Sequence, residues 1–337
     1  MADGGISTDV KNIVQNLQGT LNIACDQLTG DLPVRDCTDF ENETFWANFA
    51  AATNLVSHEA TKFCVAFDSG GVTSIEECQC LVNKVENACL ALLSVFFKFP
   101  VSRGKTLHKE IHLHVSSILN GMKNLCSAII NQSGHLQNVG NVWADCEAVE
   151  SLPKNNIEAV IKLCREQHDM VQDASQELMN AIEEEESNNG VDLTLLTPLN
   201  GLRVPINPSW TDSDRNVLFP CSGLVKAAKA CIKKVQKAIS QRGNGNTQNC
   251  IDELDLVADI IKSSSLIADD LVLSLYPPMN HSVVRQHALM IRDNSKEILS
   301  FAKSCHFYSI ADDVWIEFLG RAIDHNWVRI SDMVLAD

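Results

Sequence analysis

The residues best placed to do chemistry are three histidines in H-K-E-I-H-L-H, namely His108, His112 and His114. His108 and His112 are one helical turn apart, a spacing that lets two imidazoles share a metal ion. A zinc peptidase needs the order H-E-x-x-H, however, and here Glu110 follows His108 by two places and falls on another face. Solvated or interfacial histidines fit the pattern better than a metal site. Cys78-Gln79-Cys80 places two thiols on nearly opposite sides of a helix, because successive residues are about 100° apart. The 13 cysteines are odd in number and no second C-x-x-C supports a zinc knuckle, so they read as small core residues of a reduced, intracellular protein. No G-x-x-x-x-G-K-[ST], G-x-G-x-x-G after a strand, or G-x-S-x-G occurs. The pairs Asp269-Asp270 and Asp312-Asp313 suit helix surfaces or first turns. No base stands beside a nucleophile, so the chain reads as non-enzymatic and without a cofactor or metal.

Two other features carry charge rather than catalysis. Lys226, Lys229, Lys233 and Lys237 recur at helical spacing, with Lys234 adjacent, away from the apolar face of their helix. Their commonest role is a solvated face. The functional alternative is a docking strip for an acidic partner segment. The strip lacks arginine and a recognition-helix context, which argues against DNA. Thr197-Pro198 is the only Ser/Thr-Pro step in the chain, which makes Thr197 the natural target of a proline-directed kinase, although an ordinary turn is the simpler explanation.

The elements that position these groups are helices. The chain has 337 residues, 45% hydrophobic and 6% aromatic, enough for two cores of aliphatic type. A net charge of −16 opposes whole-surface binding to nucleic acid or anionic membrane. Met1-Ala-Asp-Gly-Gly carries no secretory leader signal, and the longest apolar run, Ala88 to Phe99, is short of the roughly 18 residues a membrane span needs.

Apolar residues recur every three or four positions from about Thr8 to Leu28, Phe45 to Phe67, Ile75 to Phe96, Leu107 to Ile129, Val139 to Val149 and Asn156 to Glu186. The pattern returns from Leu224 to Ile239, Ile251 to Leu275, Val283 to Cys305 and Trp315 to Val334. Between the two sets, Gly190, Pro198, Gly201, Pro205 and Pro208 interrupt any helix. The expectation is therefore all-α: two antiparallel helical bundles, residues 1–186 with about six helices and residues 215–337 with four, joined by an irregular linker over 187–214.

Several stretches resemble the cyclin-D-binding (cyclin-D-interacting, or Maid-like) family. They include Phe45-Trp46 with Ser57-His-Glu-Ala-Thr61, Gly104-Lys-Thr-Leu107, Gly121-Met122, Val142-Trp-Ala-Asp-Cys146, Pro153-Lys-Asn-Asn156 and Val171-Gln-Asp-Ala174. In the second half, Leu224 to Lys234, Asp269 to Met279 (ending L-Y-P-P-M) and Ala322-Ile-Asp-His325 are similar as well. The resemblance implies an all-helical, non-enzymatic protein of nucleus and cytoplasm. Such a protein binds D-type cyclins and helix-loop-helix transcription factors, and so restrains cell-cycle progression and transcription. It also suggests a vinculin or α-catenin type of bundle by analogy, which keeps a cytoskeletal or adhesion-type adaptor in view as the alternative. No arginine has leucine two places on, as a linear cyclin-docking element would require. Lys105-Thr-Leu107 and Lys123-Asn-Leu125 come nearest, but their leucines lie on the apolar face, so any cyclin contact is expected to use a folded helix surface.

Overall fold

A computed structural model of the chain describes residues 7–29, 40–68, 74–188 and 210–334. Among them there are eleven α-helices and no strand, so the protein is all-α as its periodicity requires. The chain divides into two compact units, Met1–Asn156 and Ile157–Asp337.

The first unit contains α1 (Thr8–Thr29), α2 (Asn42–Asp68), α3 (Ile75–Phe96), α4 (Lys105–Ile130) and α5 (His135–Glu147). Helix α2 packs on α3 and α5, and α1 and α5 both pack on α4. The apolar positions read from the sequence face inward: Val14, Leu17 and Leu21 from α1, Phe49 and Phe63 from α2, and Ile111, Ile118 and Met122 from α4 are all buried. Ser74 starts α3 by accepting a hydrogen bond from Glu77 N at 3.1 Å, with Glu76 and Glu77 favouring the positive end of the helix. Between α3 and α4 the chain turns at Gly104, whose φ of 126° is open to glycine alone at low cost. There Asn156 Oδ1 accepts from Leu107 N at 3.1 Å and satisfies one of the first-turn donors of α4.

The second unit contains α6 (Asn156–Asn188), except for its first residue, with α7 (Asp212–Arg242), α8 (Gln248–Ile261), α9 (Ser264–Ser274), α10 (His281–Ser304) and α11 (Asp313–Val334). Two features differ from the sequence reading. Residues 215–337 hold five helices rather than four, because the segment from Ile251 to Leu275 is broken at Lys262 and Ser263. Side chains take over the backbone groups there: Asn294 Nδ2 donates to Ile260 O at 3.0 Å, and Ser265 N donates to Gln167 Oε1 of α6 at 3.0 Å. Helix α6, grouped with residues 1–186 by sequence order, instead places Val160, Cys164, Val171, Ala174 and Leu178 in the core formed with α7 to α11. Its apolar stripe determined that it must be covered, but not by which neighbours. Of the expected linker, 189–209 lie outside the described residues, whereas Trp210 is buried in this core and α7 has begun by Asp212.

The N-terminus of α7 is a capping box. Asp214 N donates to Thr211 Oγ1 at 3.2 Å, and Thr211 N donates to Asp214 Oδ2 at 2.8 Å. The other carboxylate oxygen lies 2.7 Å from Nε2 of His281, the first residue of α10, so one buried acid ties together the starts of two helices. Burial pushes the Asp214 carboxyl up, but the hydrogen bonds from His281 and Thr211 outweigh it and hold the group below its ordinary value. A depressed folded-state pKa contributes stability that is complete above the unfolded value of about 3.9 and disappears as pH falls through the lower folded value. Urea unfolding of Asp214→Asn should therefore show a stability loss of roughly 2 kcal/mol near neutral pH. Its stability should also fall less steeply than that of the unsubstituted protein below about pH 4. Identical pH slopes would contradict the assignment. Glu253, held low in the same sense by His306, keeps the residual slope from vanishing.

Candidate functional site

Helix α7 is the most enclosed in the second unit, packing on α11, α10 and α9, with Val217, Cys221, Leu224, Val225, Cys231, Ile232, Val235 and Ile239 fully buried. What it leaves to solvent is therefore a narrow face. Lys226, Lys233, Lys234 and Lys237 are exposed on it and Lys229 is half-buried. The sequence expectation of a lysine face is met in position. Not one of these five ammonium groups forms an ion pair with a described residue. Lys226 Nζ lies 3.9 Å from Met179 Sδ of α6, a weak contact. Elsewhere in the unit basic groups do have acids: Lys296 with Asp324 at 2.6 Å, Lys303 with Asp313 at 2.8 Å and Arg242 with Asp312 at 2.5 Å.

Sequence reasoning missed Phe219, which is 73% exposed near the start of α7. The signal the sequence offers is spacing alone: Phe219 precedes Lys226 by two helical turns and so shares its face. Thr197 lies outside the described residues.

The histidines do three separate things. His108 packs against Phe96 and Phe99, with ring centroids 5.1 and 6.1 Å away, and burial followed by the proximity of His112 pushes its pKa down. His112 Nε2 lies 3.0 Å from Leu28 O, joining α4 to α1. The His114 ring is 6.1 Å from that of Phe49. Among the described residues no three His, Cys, Asp or Glu side chains are grouped to hold a metal ion.

Cys78 is buried and Cys80 exposed, on opposite sides as their spacing requires. Burial pushes Cys126, Cys164, Cys231 and Cys305 up to about 12, so these thiols stay protonated and inert. The acid pair Asp312-Asp313 is structural: Asp312 also accepts from Trp315 Nε1 at 2.9 Å. The His306 and Glu253 pair, 2.7 Å apart, fastens the end of α10 to α8.

Ionisable groups in the described structure thus tie helix to helix, and the charge left over is displayed on an outer face. That is the character of an all-helical protein with its free chemistry at the surface. Residues 48–184 match the family described as Grap2 and cyclin-D-interacting, N-terminal, and residues 202–300 match its C-terminal counterpart. The chain is similar to Cyclin-D1-binding protein 1 homolog of Xenopus laevis, 32% identical over 96% of this chain and 98% of the relative. The zebrafish (Danio rerio) homolog is 31% identical over 88% of each chain. Human (Homo sapiens) Cyclin-D1-binding protein 1 is 29% identical over 89% of this chain and 87% of its own. The chain belongs to this cyclin-D-interacting family. Helix α6 falls within the N-terminal family segment up to residue 184, although its apolar face is buried in the second unit.

No helix among the described residues is long and apolar enough to cross a membrane.

Proposed function

We propose that the protein binds a D-type cyclin without catalysing a reaction, and through that contact restrains cell-cycle progression and the transcription that follows it. The observation carrying this reading is the match to proteins named for cyclin-D1 binding along almost the whole chain. Helix-loop-helix transcription factors are a second class of partner, and cytoplasm and nucleus are the compartments in which both would be met.

The contact is made by a folded helical face. Leu107 and Leu125, the leucines of the two lysine-x-leucine steps, are both buried, so neither segment is presented as a linear peptide. Immobilised full-length protein incubated with purified D-type cyclin should retain the cyclin, and its addition should lower phosphorylation of the retinoblastoma protein by the cyclin-kinase pair. Failure to retain cyclin, with recovery of actin or junction proteins from cells instead, would replace this reading with that of a structural adaptor.

A further inference from the structure

On a helix each residue advances about 100° and 1.5 Å, so Phe219 and Lys237 point in the same direction at the two ends of about 27 Å of α7. Lys226 and Lys233 lie between them within about 40° of that direction, and Lys229 and Lys234 flank the line on either side. The exposed face is thus ordered: one large aromatic at the N-terminal end, then a row of ammonium groups.

This arrangement works against the fold that carries it. Like charges three and four residues apart weaken a helix by a few tenths of a kcal/mol per pair, and none of the ion pairs among the described residues includes one of these lysines. The protein has net charge −16, so acids for internal pairing are not scarce. A phenylalanine left 73% exposed buries little of its ring on folding, and aromatic side chains of this kind anchor interfaces.

We propose that this face of α7 is a docking strip for an acidic amphipathic helix of a partner protein. Carboxylates of that helix pair with Lys226, Lys233 and Lys237, and an apolar residue at one end of it seats on Phe219. A partner helix laid alongside α7 meets the row with acids recurring every two turns, the interval that separates Phe219 from Lys226 and Lys226 from Lys233. Nucleic acid fits less well, because the strip has no arginine and the surrounding net charge repels phosphate. A lipid surface fits less well too, because a single aromatic gives too narrow an apolar face for insertion. The strip follows from the residues of this chain alone and stands whether or not the partner is a D-type cyclin.

Fluorescence anisotropy with the full-length protein tests it. The probe is a labelled synthetic helix with glutamates two turns apart and a leucine two turns before the first, compared with a shuffled peptide of the same composition. The ordered peptide is expected to bind more tightly than the shuffled one and to weaken with added salt. Combining Lys233→Glu and Lys237→Glu should lower its affinity by about tenfold or more. Phe219→Ser should lower it severalfold while leaving the salt dependence unchanged, because no charge is removed. Circular dichroism should be unaltered in both variants, whose changed side chains lie on the surface.

Equal binding of the shuffled peptide, or indifference to the lysine reversals, would overturn the proposal. So would preferential binding of an RNA oligonucleotide or of phosphatidylserine vesicles that displaces the peptide. Retention of D-type cyclin, measured in parallel, separates the two readings. If the unsubstituted protein holds cyclin but not the ordered peptide, the strip is wrong and the cyclin reading survives. If it holds the peptide but not cyclin, the reverse is true.

Discussion

Gly104→Ala is expected to destabilise the first unit by roughly 3–5 kcal/mol, a large share of the stability of any single domain. Two independent causes act at this position. The backbone sits at φ 126° and ψ 127°, where a Cβ strains the chain whatever its surroundings. A Cβ built there would also overlap the side chain of Asn156, which is held in place by its hydrogen bond to Leu107 N. Gly19, in the exposed middle of α1 with nothing near its Cβ position, is the matched control. There alanine should stabilise by about 0.5–1 kcal/mol through helix propensity and a less flexible unfolded chain. Urea titration followed by Trp46 and Trp143 fluorescence would read both. Removing the clashing partner in Gly104→Ala combined with Asn156→Ala should recover part of the loss, so the two effects should sum to less than their separate values. A neutral Gly104→Ala would mean that this turn is not built as described.

The second large effect is expected at Trp210→Ala, at roughly 3–5 kcal/mol from lost burial and the cavity left behind. Trp210 is 6% exposed, its Nε1 donates to Leu275 O at 2.6 Å, and its ring lies 6.4 Å from that of Tyr276. The indole therefore fixes the chain just before α7 to the C-terminal end of α9. Trp210→Phe keeps most of the apolar contact and loses the donor, leaving Leu275 O without that partner. About 1–2 kcal/mol is expected for it. Fluorescence of Trp315 and Trp327, both in the second unit, would follow the unfolding. Equal losses for Ala and Phe would show the hydrogen bond, rather than packing, to be decisive.

These two sites show how far the sequence could be read. The stripes of α1 to α5 and α10 were legible because three- and four-residue spacing of Val, Leu, Ile and Phe admits one fold class. The lysine face was legible for the same reason, since Lys226 to Lys237 fall opposite the buried positions of α7. Punctuation was the weaker guide. Pro198, Pro205 and Pro208 suggested an irregular joint running on to residue 214, whereas α7 has begun by Asp212. In the structure Pro220 lies inside α7 with its ring buried, so core contact offsets the missing backbone donor. The break between α8 and α9 depends on Asn294 and Gln167, which come from other helices and cannot be inferred from the serines alone. The pairs His281 with Asp214 and His306 with Glu253 are separated by 67 and 53 residues in sequence. Only packing could have brought them together. Phe219 went unnoticed for a related reason: exposure is a property of the neighbours a residue lacks.

The central claim is that this protein works through outward faces of its packed helices. Titration of a D-type cyclin, monitored calorimetrically, against the intact chain and against overlapping synthetic peptides that span all of it tests that claim most directly. Saturable binding to the intact chain is expected, with none to any peptide, including those containing Lys105-Thr-Leu107 and Lys123-Asn-Leu125. A single peptide that binds the cyclin as tightly as the folded protein does would contradict it.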